Sequence, residues 1–266
     1  MVDWLLNLPV VWMAVVVFAA IYLLAFFIYW VVARLTANER IAAAFKAVSP
    51  GMLPPLGILF ALLVGFIAVE VWSNFDKAKA AVATEASALR AVVLLADNFP
   101  EDQKSRIYAL INRHIDDAVN KEWPAMARQR ATLTTLPTPL IEELHDALAM
   151  RPAADSQRAA QPEMVRAIHT ALDARRQRIV ISQISVGGVK WAGILLQGLC
   201  TLIAIAMVHS GNRLSCAIAL SIFATGIALS FLLIAAYSRP FTGEISVKPE
   251  LLKQVTASEA AAEPRR

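Results

Sequence analysis

Few groups in this 266-residue chain could do chemistry, and their types and spacing narrow the choices further. His114 and Asp117 form an i, i+3 pair that could hold a metal on one helix face. Surface and core-edge helices generate such pairs constantly, so no metal site is expected. Cys200 and Cys216 both lie inside apolar runs, where two isolated thiols make neither a disulfide framework nor a metal set. There is no glycine-rich phosphate loop, no nucleophile elbow, no zinc-binding histidine pair with Glu and no paired-cysteine motif. Neither an enzyme nor a cofactor is expected. Two charged features remain. Arg175, Arg176 and Arg178 stand about ten residues ahead of an apolar run, where they could meet anionic headgroups or a permeating anion; a solvated helix face is the plainer reading. Glu70 is the carboxylate within the apolar runs. Such a group usually faces protein or a water-filled path, because lipid exposure is costly, but Trp72, Asn74 and Asp76 follow closely, so an interfacial position is equally open.

The elements that position these residues are set by hydropathy. Hydrophobic residues make up 58% of the chain and charged residues 17%, with a mean hydropathy of +0.55, beyond what a soluble domain needs. Four runs, at about 10–32, 53–72, 189–208 and 214–237, have roughly the 20 residues a bilayer-spanning helix requires. The first is too long for a signal-peptide core and is read as a retained helix. The expected fold is therefore all-α: a four-transmembrane-helix membrane protein with a helical extramembrane domain. Residues 1–72 form the first hairpin, 73–188 the helical soluble domain, 189–237 the second hairpin, and 238–266 a tail whose end is disordered.

Between Gly65 and Pro100 there is no Gly or Pro and Ala dominates, so nothing local stops the second helix where lipid ends. Trp12 and Tyr22 sit too deep for an interfacial belt and are expected to face other helices. The loop from Arg34 to Gly51 suggests a short interfacial helix with Ile41, Phe45 and Val48 toward lipid. In the insert, Ile107, Leu110, Ile111, His114, Ile115, Ala118 and Val119 share one helix face. Trp123-Pro124 is expected to interrupt, Thr138 to cap a following helix, and residues 151–162 to form a loop. A last helix from Pro162 carries Met164, Ile168, Leu172 and Ile179 and pairs with the first rod as an antiparallel stalk. With 15 Lys and Arg against 14 Asp and Glu between residues 73 and 186, the insert has no nucleic-acid footprint.

Orientation follows from the basic residues near the spans. Lys77, Lys79, Arg175, Arg176, Arg178, Arg239, Lys248 and Lys253 flank one side, against Arg34, Arg40, Lys46 and Arg213 on the other. That bias puts both termini and the insert in the cytoplasm, although the basic-free N-terminus points the other way.

The segment Leu56-Gly57-Ile58-Leu59-Phe60-Ala61-Leu62-Leu63-Val64-Gly65-Phe66, followed by Trp72-Ser-Asn-Phe-Asp76 and a long helix, resembles the second transmembrane helix of bestrophin channels. The wider layout, with Ala80-Ala-Val-Ala-Thr-Glu-Ala-Ser-Ala-Leu-Arg90 and Tyr237-Ser-Arg-Pro-Phe-Thr-Gly-Glu-Ile-Ser-Val247, is similar to the bacterial bestrophin-like membrane protein family of unknown function. The resemblance implies a homopentamer in the inner membrane, in contact with membrane lipids and permeant ions. Its pore neck would be lined by Ile58, Leu62 and Phe66, whose i, i+4, i+8 spacing shares one helical stripe, and Glu70 one turn later would crown the pore mouth. The Asp-Arg-Trp-Trp-Glu run of bestrophins is absent, and no acidic calcium cluster is found, so calcium gating is not implied. The expected function is an oligomeric ion channel of bestrophin type. The alternative is a membrane-anchored helical interaction or signalling module without conduction.

Overall fold

The computed structural model describes residues 8–255, and the end of the expected disordered tail lies outside them. The described chain is built from helices: α1 (Val10–Leu35), α2 (Glu39–Lys46), α3 (Leu53–Ala96), α4 (Glu101–Asp117), α5 (Trp123–Ala127), α6 (Thr138–Ala149), α7 (Asp155–Ser182), α8 (Gly188–Val208) and α9 (Arg213–Tyr237). A 3₁₀ turn precedes α3, and a π-helical turn, Ala118–Glu122, joins α4 to α5. The chain divides into two compact units. Among the described residues four helices are long and apolar enough to cross a membrane: α1, α8, α9 and α3 with the short turn before it.

The first unit holds α1, α2, α3 to Ser73, α8 and α9. Along α1, Met13, Val17, Ile21, Ala25, Ile28 and Val32 are buried; steps of four and three residues keep them on one face. They join Phe60, Ile67 and Val71 of α3, Ile194 and Leu202 of α8, and Leu220, Ile227 and Phe231 of α9 in one cluster. In lipid the hydrophobic drive between helices is missing, so close packing and interhelical hydrogen bonds must supply association. Both are present. A Cβ on Gly198 would stand 3.4 Å from Ile227 and 3.5 Å from Phe60, so these helices approach closely there. Tyr22 and Thr225 share a 2.7 Å hydrogen bond between α1 and α9. Tyr22 thus faces another helix as expected, whereas Trp12 remains exposed. At the start of α1, Glu244 accepts a hydrogen bond from the Val10 N–H at 3.1 Å, answering one of the donors a helix start leaves open.

Asn38 caps α2 by accepting from the Arg40 N–H. This helix does not direct its apolar side wholly to lipid: Phe45 packs on the core cluster, and Ile41 and Val48 are half-buried. Contact between α2 and α8 accounts for the difference.

The second unit holds α3 from Asn74, α4 to α7, and segments 240–242 and 246–255. Helix α3 continues unbroken to Ala96 and stops before the Asn98-Phe99-Pro100 turn. Its residues Ala78, Val82, Leu89, Val92 and Ala96 are buried. The direction of α7 follows from two contacts. Arg178 pairs with Glu85, and a groove is lined by residues 83–95 of α3 with 163–170 of α7. Moving toward the end of α3 is therefore moving toward the start of α7.

Three local expectations are corrected. Trp123-Pro124 does not break the chain's helical path: the Trp123 N–H reaches back to the Ala118 carbonyl in a π turn, a widening that accommodates the N–H missing from Pro124. Thr138 is the first helical residue rather than the cap, with Pro137 in the cap position. Residues 155–162 are helix, not loop. The Gln157 side chain accepts from the Ala153 and Ala154 N–H groups at 2.9 and 3.3 Å, and Gln161 donates to the Ala147 and Met150 carbonyls, so polar side chains start and anchor α7 where no apolar period exists.

Candidate functional site

Helix α3 in the first unit has two dissimilar faces. Phe60, Ile67 and Val71 are buried against the other helices of that unit. About 180° around the helix, at 100° per residue, Ile58, Leu62 and Phe66 are 59%, 51% and 72% exposed. Only 11% of the most apolar window of this helix is buried within its own chain, the lowest share of the four candidate spans. The three side chains therefore form an apolar stripe that the chain itself leaves uncovered.

Glu70 stands one turn beyond Phe66 and is exposed, but it is not alone. The Lys190 ammonium at the start of α8 lies 2.5 Å from both of its carboxylate oxygens. The carboxylate expected at the end of the apolar stripe thus carries its own counter-charge. Sequence reasoning missed Lys190; the available signal was its position as the second residue of the third apolar run.

The arginines of the basic run separate. Arg176 is exposed and lies 3.8 Å from Asp173. Arg175 is buried, donating to Glu122 at 2.7 Å and to the Thr135 carbonyl at 3.0 Å. Arg178 is wholly buried. It donates to Glu85 through Nε at 2.7 Å and Nη2 at 3.0 Å, and to Glu122 at 2.8 Å, and its guanidinium lies 4.6 Å from the Trp123 ring centre. These two arginines hold the second unit together rather than presenting a surface to headgroups or ions.

His114 completes that cluster. Its Nε2 stands 3.0 Å from Glu85 Oε1, donating to the carboxylate, while Asp117 pairs with Lys121. The His114 and Asp117 side chains, whose spacing could have suited a metal, go to separate partners. Among the described residues no three His, Cys, Asp or Glu side chains are grouped to hold a metal.

Burial alone would push the Glu85 carboxyl up, but the Arg178 charge and the His114 hydrogen bond outweigh it and hold the pKa down to about 2. Burial likewise disfavours the Arg178 charge; Glu85 and Glu122 overcome it and raise the guanidinium above the ordinary arginine value. Trp123 ties the cluster to the later chain by donating from Nε1 to the Val247 carbonyl at 3.1 Å and by an edge contact with Phe241 at 5.8 Å.

Comparison with known proteins places this geometry. A family model, the Bestrophin-like domain, matches residues 10–252. Two similar solved structures are of a bacterial bestrophin homolog from Klebsiella pneumoniae. One, with a leucine-to-threonine mutation, aligns at TM-score 0.68 and 12% identity over 94% of this chain and 99% of that one. The other, with an isoleucine-to-threonine mutation, aligns at TM-score 0.67 and 13% identity over 92% and 98%. At these identities the likeness is one of fold. No curated protein matches the sequence.

The ion cluster yields a stability prediction. Removing one member of a buried pair strands the other charge, at a cost of roughly 3–5 kcal/mol. Glu85→Gln should therefore lower the melting temperature of the detergent-purified protein, and adding Arg178→Met should restore part of the loss. Because the folded pKa of Glu85 lies below its ordinary 4.5, the stability it supplies is complete above that value and is lost as pH falls toward about 2. Thermal unfolding followed by circular dichroism across that range checks both; an unchanged melting temperature in Glu85→Gln would contradict the assignment.

Proposed function

We propose, since the chain belongs to the Bestrophin-like family, that it assembles as a homopentamer in the inner membrane and conducts ions along a neck lined by Ile58, Leu62 and Phe66 of α3. The observation that carries this reading is the uncovered apolar stripe of α3, opposite the face that the chain's own helices bury. Gly65 supports it. A glycine inside a helix costs roughly 0.5–1 kcal/mol relative to Ala, and a Cβ there would meet nothing within 4 Å in its own chain. Close approach of a neighbouring copy explains why so small a residue stands there. An apolar ring of this kind excludes water by bulk and gates by dewetting. The work is conduction rather than catalysis.

The remaining exposed apolar side chains, such as Val11, Leu23 and Phe26 of α1 and Leu214 and Ile222 of α9, suit a lipid surface. Both termini and the helical unit lie in the cytoplasm in this proposal, on the roughly two-to-one excess of basic residues flanking that side. A reporter fused after Arg266 should then be active in the cytoplasm, and a periplasmic signal would reverse the orientation.

Conduction is tested in planar bilayers. Ala at Ile58, Leu62 and Phe66 together should widen the constriction and raise unitary conductance several-fold. Unaltered currents from the triple variant would turn these residues toward lipid and remove the neck. A monomer or dimer in detergent would favour the membrane-anchored interaction module instead, because α3 would have nothing to enclose.

Selectivity follows from the pairing of Glu70 with Lys190. Each copy contributes one charge of each sign to the mouth, so the wild type should show weak cation preference at most. Glu70→Gln leaves the ammonium uncompensated and should shift reversal potentials toward anions; Lys190→Gln should shift them toward cations. Ion-substitution recordings in which neither variant moves the reversal potential would take the pair away from the conduction path.

A further inference from the structure

Helix α6 of the second unit carries a carboxyl that nothing answers. Glu143 is completely buried, and neither of its oxygens has a hydrogen-bond partner among the described residues. Buried polar groups are otherwise paired, because leaving one unmet costs the full desolvation penalty. Helices α4 and α7 pack on α6, and their lysines and arginines are each paired with a carboxylate, Lys104 with Asp97 among them. From α4, Arg106 donates twice to Asp146 at 2.6 and 3.2 Å, Arg113 lies 3.8 Å from Glu142, and His114 is held by Glu85. From α7, Gln161 caps the end of α6, Met164 and Ile168 are buried, and the charged side chains Asp155, Arg158, Glu163 and Arg166 are exposed and paired with one another. On α6 itself, His145 is exposed and Asp146 adds a second negative group one turn away.

We propose that Glu143 is a proton-operated lock: protonated, it lets α6 stay seated between α4 and α7, and ionised, it releases α6 from them. The charge has no partner to receive it inside. Arg106 is the cation whose charge acts on it, and to reach it Glu143 must displace Asp146 or move, with its helix, toward water. Burial first, then the Asp146 charge, raise this carboxyl, and the partial opposition of Arg106 leaves it at about 7. The sign is fixed by that displacement. A folded state that holds its proton more tightly than the unfolded chain loses stability as pH rises from the ordinary 4.5 toward about 7, and the full stability from this group is present only below that interval. The lock is independent of whether the membrane unit conducts.

Hydrogen exchange of the full-length protein in nanodiscs tests it, with exchange times corrected for intrinsic rates. In the wild type, protection of the 138–149 segment should fall by about tenfold between about pH 6 and about pH 8, while the buried part of α3 around Leu89 stays protected. In Glu143→Gln, which keeps the shape and cannot ionise, that pH dependence should vanish. An infrared band of a protonated carboxyl, present at the lower pH, lost at the higher and absent from Glu143→Gln, gives the same answer without relying on helix motion. Wild-type protection of α6 that is equal at both pH values, or a pH dependence that survives in Glu143→Gln, overturns the proposal.

Discussion

A guanidinium shut off from water is tolerable only where its charge and its donors are answered by protein, and in the extramembrane unit Arg178 imposes that condition on three separate stretches of chain. Glu85 comes from α3, Glu122 from the π turn, Trp123 and Met126 from α5, and Arg178 itself from α7. Two carboxylates and two arginines balance, with His114 donating to the shared Glu85. A slip of α7 along α3 by one turn, about 5.4 Å, would break both Arg178–Glu85 bonds at once. The apolar residues around the cluster fill space and stabilise by burial, but burial is non-directional; the ion cluster is what distinguishes one register of the two long helices from the next.

The division between what could be read from residues and what could not follows that physics. Lipid tolerates only long apolar helices with their backbone satisfied internally, so α1, α8 and α9 and the apolar start of α3 were legible from composition and length, as was the continuation of α3 through an Ala-rich stretch with no stop. Family resemblance directed attention to Ile58, Leu62 and Phe66. The ion cluster was invisible, because Glu85 and Arg178 are 93 residues apart and a run of arginines near a span looks like a solvated face. The start of α7 was also missed: residues 155–162 have no apolar period, and their helix is set by Gln157 and Gln161 acting on backbone groups. Lys190 was concealed by the apolar run in which it stands second.

The membrane unit is organised on the opposite principle. Its helices meet through small residues, tilted ring pairs and a few hydrogen bonds, with Phe60 and Phe223 at 5.6 Å, Trp191 and Phe231 at 5.4 Å, and the Gln197 amide donating to the Leu56 carbonyl at 3.3 Å. The contacts made by Phe60, Ile67 and Val71 occupy one side of α3 and leave the other apolar and bare. In water so large an uncovered apolar surface would be an association site; in a membrane part of it is simply solvated by lipid. The charged pair at Glu70 and Lys190 suits the end of such a surface, since a carboxylate and an ammonium in contact are far less costly near hydrocarbon than either one alone.

Glu85 and Glu143 show how little burial by itself decides. Both carboxyls are fully inaccessible in the same unit, and in both the largest influence is desolvation, which favours the neutral acid. At Glu85 two cationic or donor groups, Arg178 and His114, reverse that influence and fix a permanent charge. At Glu143 the cation that opposes desolvation, Arg106, is already spent on Asp146, so desolvation prevails. The first carboxylate is consequently a structural constant over the physiological pH range, and the second is the one buried acid in α6 whose charge state that range can change. The difference lies in a single question of supply: whether a guanidinium faces the carboxyl or has been claimed one turn away.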